Sequence, residues 1–173
     1  MSGRFQTARL LFGWMRLMLA ALTLGLLAHM PAHSAEPVKI SREDTALDLT
    51  DMTDIYLNQG EAFQVSTAAG ADGIRRRIEV RSSSPNHHGD WAVFALANVS
   101  EEQLERVIVA PHFRLVGSKM FWPDLGLSRV AGITPSSGER PDRQDSSTAD
   151  IFRITLDPGS VITYVMELRT DNL

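Results

Sequence analysis

The sequence predicts an all-β protein, a single β-sandwich of the jelly-roll kind. Apolar residues recur at every second position or in short unbroken runs, and turn residues punctuate those runs. Helical periodicity is scarce after residue 34, which leaves about seven or eight short strands to form one layered core.

Residues 1–34 stand apart from that pattern. Arg4 and Arg9 precede the first acidic residue, Glu36, and the uncharged run Leu17–Ala28 is followed by small residues over Pro31–Ala35. Basic, then apolar, then small is the order of a secretory signal peptide cleaved after Ser34 or Ala35. The competing reading is an uncleaved anchor over residues 10–30, whose 21 residues match the ~20 that span a bilayer. Arg16 counts against it, because a charge near the helix centre costs about 2.5–3.5 kcal/mol on insertion. Both readings put residues 35–173 outside the cytoplasm. The expected location is the periplasm, with membrane contact only if residues 10–30 stay attached.

Within residues 35–173, Ile74, Ile78 and Val80 share one face of an expected strand. Arg75, Arg77, Glu79 and Arg81 line the other face, and Arg76 breaks the alternation once. Asp90–Ala97 is almost continuously apolar and reads as a central strand buried on both faces. Ser100 to Leu104 starts like a capped turn, with Gln103 three residues after Ser100, but is too short for a helix of any consequence. Arg106–Ala110 is the next strand, and Pro111 marks its edge, a bulge or its end. Thr134–Asp150 has no apolar period and is expected as one long loop. Ile151–Leu156 and Val161–Leu168 flank Asp157-Pro158-Gly159-Ser160, which predicts a hairpin.

Composition narrows the function classes. Setting aside residues 1–34 of 173 leaves 139, one domain's worth, enough to bury roughly two-thirds of its unfolded surface. The absence of cysteine excludes disulfides, a thiol nucleophile and thiolate metal sites. All 21 acidic residues follow residue 35, against 14 basic ones once Arg4, Arg9 and Arg16 are taken from 17. The resulting charge of 14 − 21 = −7 argues against a nucleic-acid surface.

Candidate chemistry is sparse. His87-His88 lacks a spaced third ligand, so no metal site is expected. Ser118, His112 and Asp124 supply the residue types of a hydrolytic triad, but no nucleophile elbow brings them together. No phosphate loop is present, and neither catalysis nor a cofactor is expected. Phe113, Phe121 and Trp122 surround Arg114 and Asp124 in sequence, either as core or as a pocket in which Arg114 meets an anion. Glu139, Arg140, Asp142, Arg143 and Asp145 crowd one loop, either pairing among themselves in solvent or forming a binding loop. The candidate contact surface is therefore Arg114, Trp122, Arg140, Arg143 and Asp145. If that surface binds, replacing Arg140 or Arg143 by alanine is expected to weaken binding and leave the melting temperature unchanged. Asn98-Val99-Ser100 matches a glycosylation sequon by chance.

Several longer phrases carry a family resemblance. They are Asp90-Trp91-Ala92-Val93-Phe94-Ala95-Leu96-Ala97-Asn98, Val109-Ala110-Pro111-His112-Phe113-Arg114-Leu115-Val116-Gly117-Ser118 and Phe121-Trp122-Pro123-Asp124-Leu125-Gly126. Ile133-Thr134-Pro135-Ser136, Arg140-Pro141-Asp142-Arg143-Gln144-Asp145-Ser146 and Thr155-Leu156-Asp157-Pro158-Gly159 complete the set. Together they resemble the N-terminal extracytoplasmic sensor region of alphaproteobacterial membrane-bound cyclic-di-GMP signalling proteins, over roughly residues 45 to 170. The resemblance implies a periplasmic β-domain ahead of membrane helices and cytoplasmic diguanylate cyclase and phosphodiesterase regions. This sequence has no Gly-Gly-Asp-Glu-Phe motif, so that activity does not carry over.

The expectation is a signal peptide over 1–34 and a non-catalytic sensor-like sandwich over 35–173. It would act by binding a small molecule or a membrane-bound signalling protein, as a stand-alone module or as the front piece of a split receptor. The alternative is a ligand-independent structural or assembly protein of the periplasm.

Overall fold

The strand that organises the fold is the apolar run expected at its centre. In a computed structural model of the chain, which describes residues 35–83, 90–115, 121–123 and 128–170, that run is buried from Trp91 to Asn98. For 113–115, 121–123, 128 and 170 the description is of the backbone alone. Residues 1–34, on which the expected signal peptide falls, lie outside the described residues, as do His87, His88, Ser118 and Asp124.

Twelve strands occur among the described residues. They are β1 Pro37–Ile40, β2 Asp54–Tyr56, β3 Ala62–Ser66, β4 Arg77–Arg81, β5 Asp90–Asn98 and β6 Leu104–Pro111. There follow β7 Phe113–Leu115, β8 Phe121–Pro123, β9 Ser128–Pro135, β10 Asp142–Gln144, β11 Ala149–Leu156 and β12 Val161–Thr170. One 3₁₀ turn, Thr50–Met52, is the single helical element among these residues. No helix among them is long and apolar enough to cross a membrane.

The central sheet runs β1-β5-β12-β9, with β2 on the same edge of β5 as β1. Period 2 makes each of its inner strands two-faced. Ala92, Phe94 and Leu96 of β5 and Ile162, Tyr164, Met166 and Leu168 of β12 turn to one side. There they pack on Leu104 and Ile108 of β6 and Phe152, Ile154 and Leu156 of β11, in the sheet β10-β11-β6. The other side of the central sheet buries Trp91, Val93, Ala95 and Val165 under Phe63, Val65 and Val80 of the β3-β4 hairpin. β7 and β8 form a separate two-stranded ribbon. The result is the all-β, sandwich-like architecture that the alternation predicts, with several sheets and no closed barrel.

Three local expectations are corrected. Asp157-Pro158-Gly159-Ser160 does not close a hairpin: β11 and β12 belong to different sheets. Both strands point their even-numbered residues into the same core from opposite sides, which two adjacent strands of one sheet cannot do. The connection is held by Asn98 instead. Its Nδ2 donates to the carbonyls of Glu102 (2.8 Å), Leu156 (2.9 Å) and Asp157 (3.1 Å), while its main chain bonds Gly159 and Ser160. Gly159 has φ 69°, the left-handed conformation that this tight corner requires and glycine adopts without strain. The same contacts bury the Asn98 carboxamide, so the sequon asparagine is a structural corner.

The expected strand from Ile74 begins at Arg77. Asp72 diverts the chain before it, accepting the Ile74 N–H at 3.0 Å and binding the Arg76 guanidinium at 2.6 Å, and Ile74 is left exposed. The expected loop 134–150 contains β10, whose three polar residues pair with one edge of β11 and carry no apolar signal to read. Residues 100–102 form bends, in keeping with a segment too short for a helix, and Asn98 Oδ1 takes the Ser100 N–H and hydroxyl.

Candidate functional site

Asp150 is the second residue of β11, where alternation with Phe152, Ile154 and Leu156 turns it inward. A carboxylate so placed must be fully paired, since burying an unpaired charge is prohibitive. Only 3 % of its side chain is exposed. Oδ1 accepts from Arg143 Nη2 at 2.8 Å, and Oδ2 accepts from the Val130 main-chain N–H at 2.9 Å and Arg129 Nε at 3.3 Å. Burial by itself raises the Asp150 pKa. The Val130 N–H, the Arg129 guanidinium and the charge of Arg143 outweigh it and hold the carboxyl below its ordinary value of 3.8.

Three elements converge on this carboxylate because of their pairing. β10 pairs with β11 so that Arg143 stands opposite Phe152, and the guanidinium lies over that ring, 5.6 Å from its centroid. Arg143 Nη1 also reaches the Ala131 carbonyl of β9 at 3.3 Å. Arg129 comes from the start of β9. His112, buried between β6 and β7, directs Nδ1 at the Ser147 carbonyl (3.2 Å). Its Nε2 lies 3.5 Å from Asp150 Oδ2, outside hydrogen-bond geometry, and has no hydrogen-bond partner.

A second buried carboxylate joins the central sheet to the end of the β3-β4 hairpin. Glu167 accepts from the hydroxyls of Ser82 and Ser83, each at 2.6 Å, and from the Ser83 N–H. Burial raises its pKa, but these donors and the charge of Arg169 prevail and lower it. This group pins two layers together and presents no outward donor array.

The structure brings together some of the candidate residues and leaves others apart. Arg114 on β7 and Trp122 on β8 are direct cross-strand partners, and their side chains lie outside the description. Arg140 and Asp145 are exposed on either side of β10, and neither touches the Asp150 cluster among the described contacts. Arg143 does join it. Its contacts argue against the expectation that Arg143→Ala would leave the melting temperature unchanged, since its guanidinium bonds Asp150 and Ala131 and covers Phe152. His112, set beside Ser118 and Asp124 in the sequence reading, has its ring between Ser147 and Asp150.

Sequence reasoning missed Asp150, Arg129 and Glu167. The available signal was an acidic residue on an apolar alternation: Asp150 precedes Phe152, Ile154 and Leu156 at even spacing, and Glu167 shares the face of Val165. Starting the strand at Ile151 hid the first of these. Among the described residues no group of three or more His, Asp or Glu side chains is placed to hold a metal ion. No family model, no curated protein and no solved structure matches the chain.

Proposed function

We propose that this is an exported, periplasmic sensing or interaction module, related to the input domain of membrane-bound cyclic-di-GMP signalling proteins. It acts by binding a small molecule or a membrane-bound signalling partner and does no chemistry itself. One observation carries the reading: two half-exposed arginines, Arg129 and Arg143, are anchored on a buried carboxylate where β9, β10 and β11 meet the β6–β7 junction. Fixed donors on a rigid sheet edge suit recognition, because little side-chain freedom is lost when they engage. The phrases around Trp91, His112 and Arg143 that resemble the sensor region support the relationship. A ligand that prefers one arrangement of this rim shifts the population toward it and so biases the partner.

The test is a thermal-shift screen of the full-length chain against a library of small metabolites. A saturable rise in melting temperature, growing with ligand concentration, supports a binding module; 100 times Kd adds about 2.7 kcal/mol. No shift from any compound would favour the ligand-independent structural role.

A further inference from the structure

We propose that Arg129 is the primary contact for an oxyanion ligand, a carboxylate or a phosphate, with Asp150 as its positioning residue. This rests on the binding-module reading and names the chemistry of its ligand. Two guanidiniums face one carboxylate, so the arginines bring one positive charge more than Asp150 offsets. Asp150 also has little acceptor capacity left. A carboxylate offers about four acceptor sites, and here three donors lie within 3.3 Å while His112 Nε2 occupies the approach at 3.5 Å.

Arg129 therefore gives Asp150 its Nε alone. Its Nη1 and Nη2 meet no acceptor among the described residues, and 40 % of the side chain is exposed. Those two nitrogens form the planar fork that fits the two oxygens of a carboxylate or phosphate. Arg143 is less available, since both of its Nη atoms are engaged. Its charge still lies across Asp150 and favours an anion. The nearest acid along β10, Asp142, stands opposite Arg153 and alternates to the other face from Arg143.

The buried, unpartnered His112 Nε2 is an independent sign that this is not a finished structural ion pair. It is 6 % exposed and aimed at the node from the inner side. An anion that draws Arg129 outward would loosen its 3.3 Å bond to Asp150 Oδ2 and so change the charge that faces His112 Nε2 across 3.5 Å. Ligand binding and the seating of His112, one residue before β7, are thereby linked.

The experiment is calorimetric titration of the full-length chain with succinate and, separately, with inorganic phosphate. Saturable binding of either probe is expected, and the stronger arm identifies the ligand source. Arg129→Gln should weaken it at least tenfold. Arg129→Lys, which keeps the charge near Asp150, should also weaken it because the fork is lost. A histidine-resolved NMR spectrum should show the His112 resonances moving on saturation. Absence of binding by both probes overturns the proposal, as does binding that Arg129→Gln leaves unchanged or that Arg129→Lys fully preserves. If both probes fail while the metabolite screen finds another ligand, the oxyanion assignment falls and the binding module stands. If the screen also finds nothing, both fall.

Discussion

Asn98 Nδ2 lies 2.9 Å from the carbonyl of Leu156, so one carboxamide at the end of β5 fixes the corner where the chain leaves one sheet for the other. Asn98→Ala strands the Glu102, Leu156 and Asp157 carbonyls in a buried setting, and should cost about 2–3 kcal/mol in urea unfolding. Asn98→Asp should cost more, since a carboxylate would face three carbonyl oxygens.

The two faces of the central sheet make separate cores, and each has an aromatic at its centre. Phe94 stacks on Tyr164 at 5.4 Å on one face, and Phe63 stacks on Trp91 at 5.8 Å on the other. Phe94→Ala and Phe63→Ala should each lower stability by about 3–5 kcal/mol. A small loss for Phe63→Ala alone would show that the β3-β4 layer is not integral to the fold.

Arg143 and its loop neighbours should separate cleanly in a melting series. Arg143→Ala should lose about 1–3 kcal/mol by removing the Oδ1 partner of Asp150 and the cover of Phe152. Arg140→Ala and Asp145→Ala, both exposed, should stay within about 0.5 kcal/mol of the parent.

Acid sensitivity follows from the two buried carboxylates. Asp150 and Glu167 have folded pKa values below their ordinary 3.8 and 4.5. Their contribution is therefore complete above those unfolded values and is lost as pH falls through the lower, folded ones. Denaturant midpoints measured from pH 7 down to 2 should fall below about pH 4.5. Asp150→Asn and Glu167→Gln should each be less stable at pH 7 and less sensitive to acid than the parent.

The parts of the fold legible in the sequence are those written in alternation. Asp90–Ala97 announced a doubly buried strand, and Ile162, Tyr164, Met166 and Leu168 announced the face that meets β11. What escaped is decided between sheets. Nothing local in Asp157-Pro158-Gly159-Ser160 tells a hairpin from a crossover, because the deciding partner is Asn98, 58 residues from Leu156. The polar β10 strand borrows its order from the edge of β11. For the site, the sequence showed a charged loop around Arg143, but the acid that anchors it is Asp150, the second residue of the apolar strand that follows.

The central claim is that this domain works as a binding module outside the cytoplasm, and export tests it most directly. A phosphatase that folds only in the periplasm, fused after Leu173 of the full chain, should be active in whole cells. Changing Leu22 and Leu24 in the apolar run of the first 34 residues to Arg should abolish that activity. An inactive fusion, with the phosphatase recovered intact in the cytoplasm, would contradict the account.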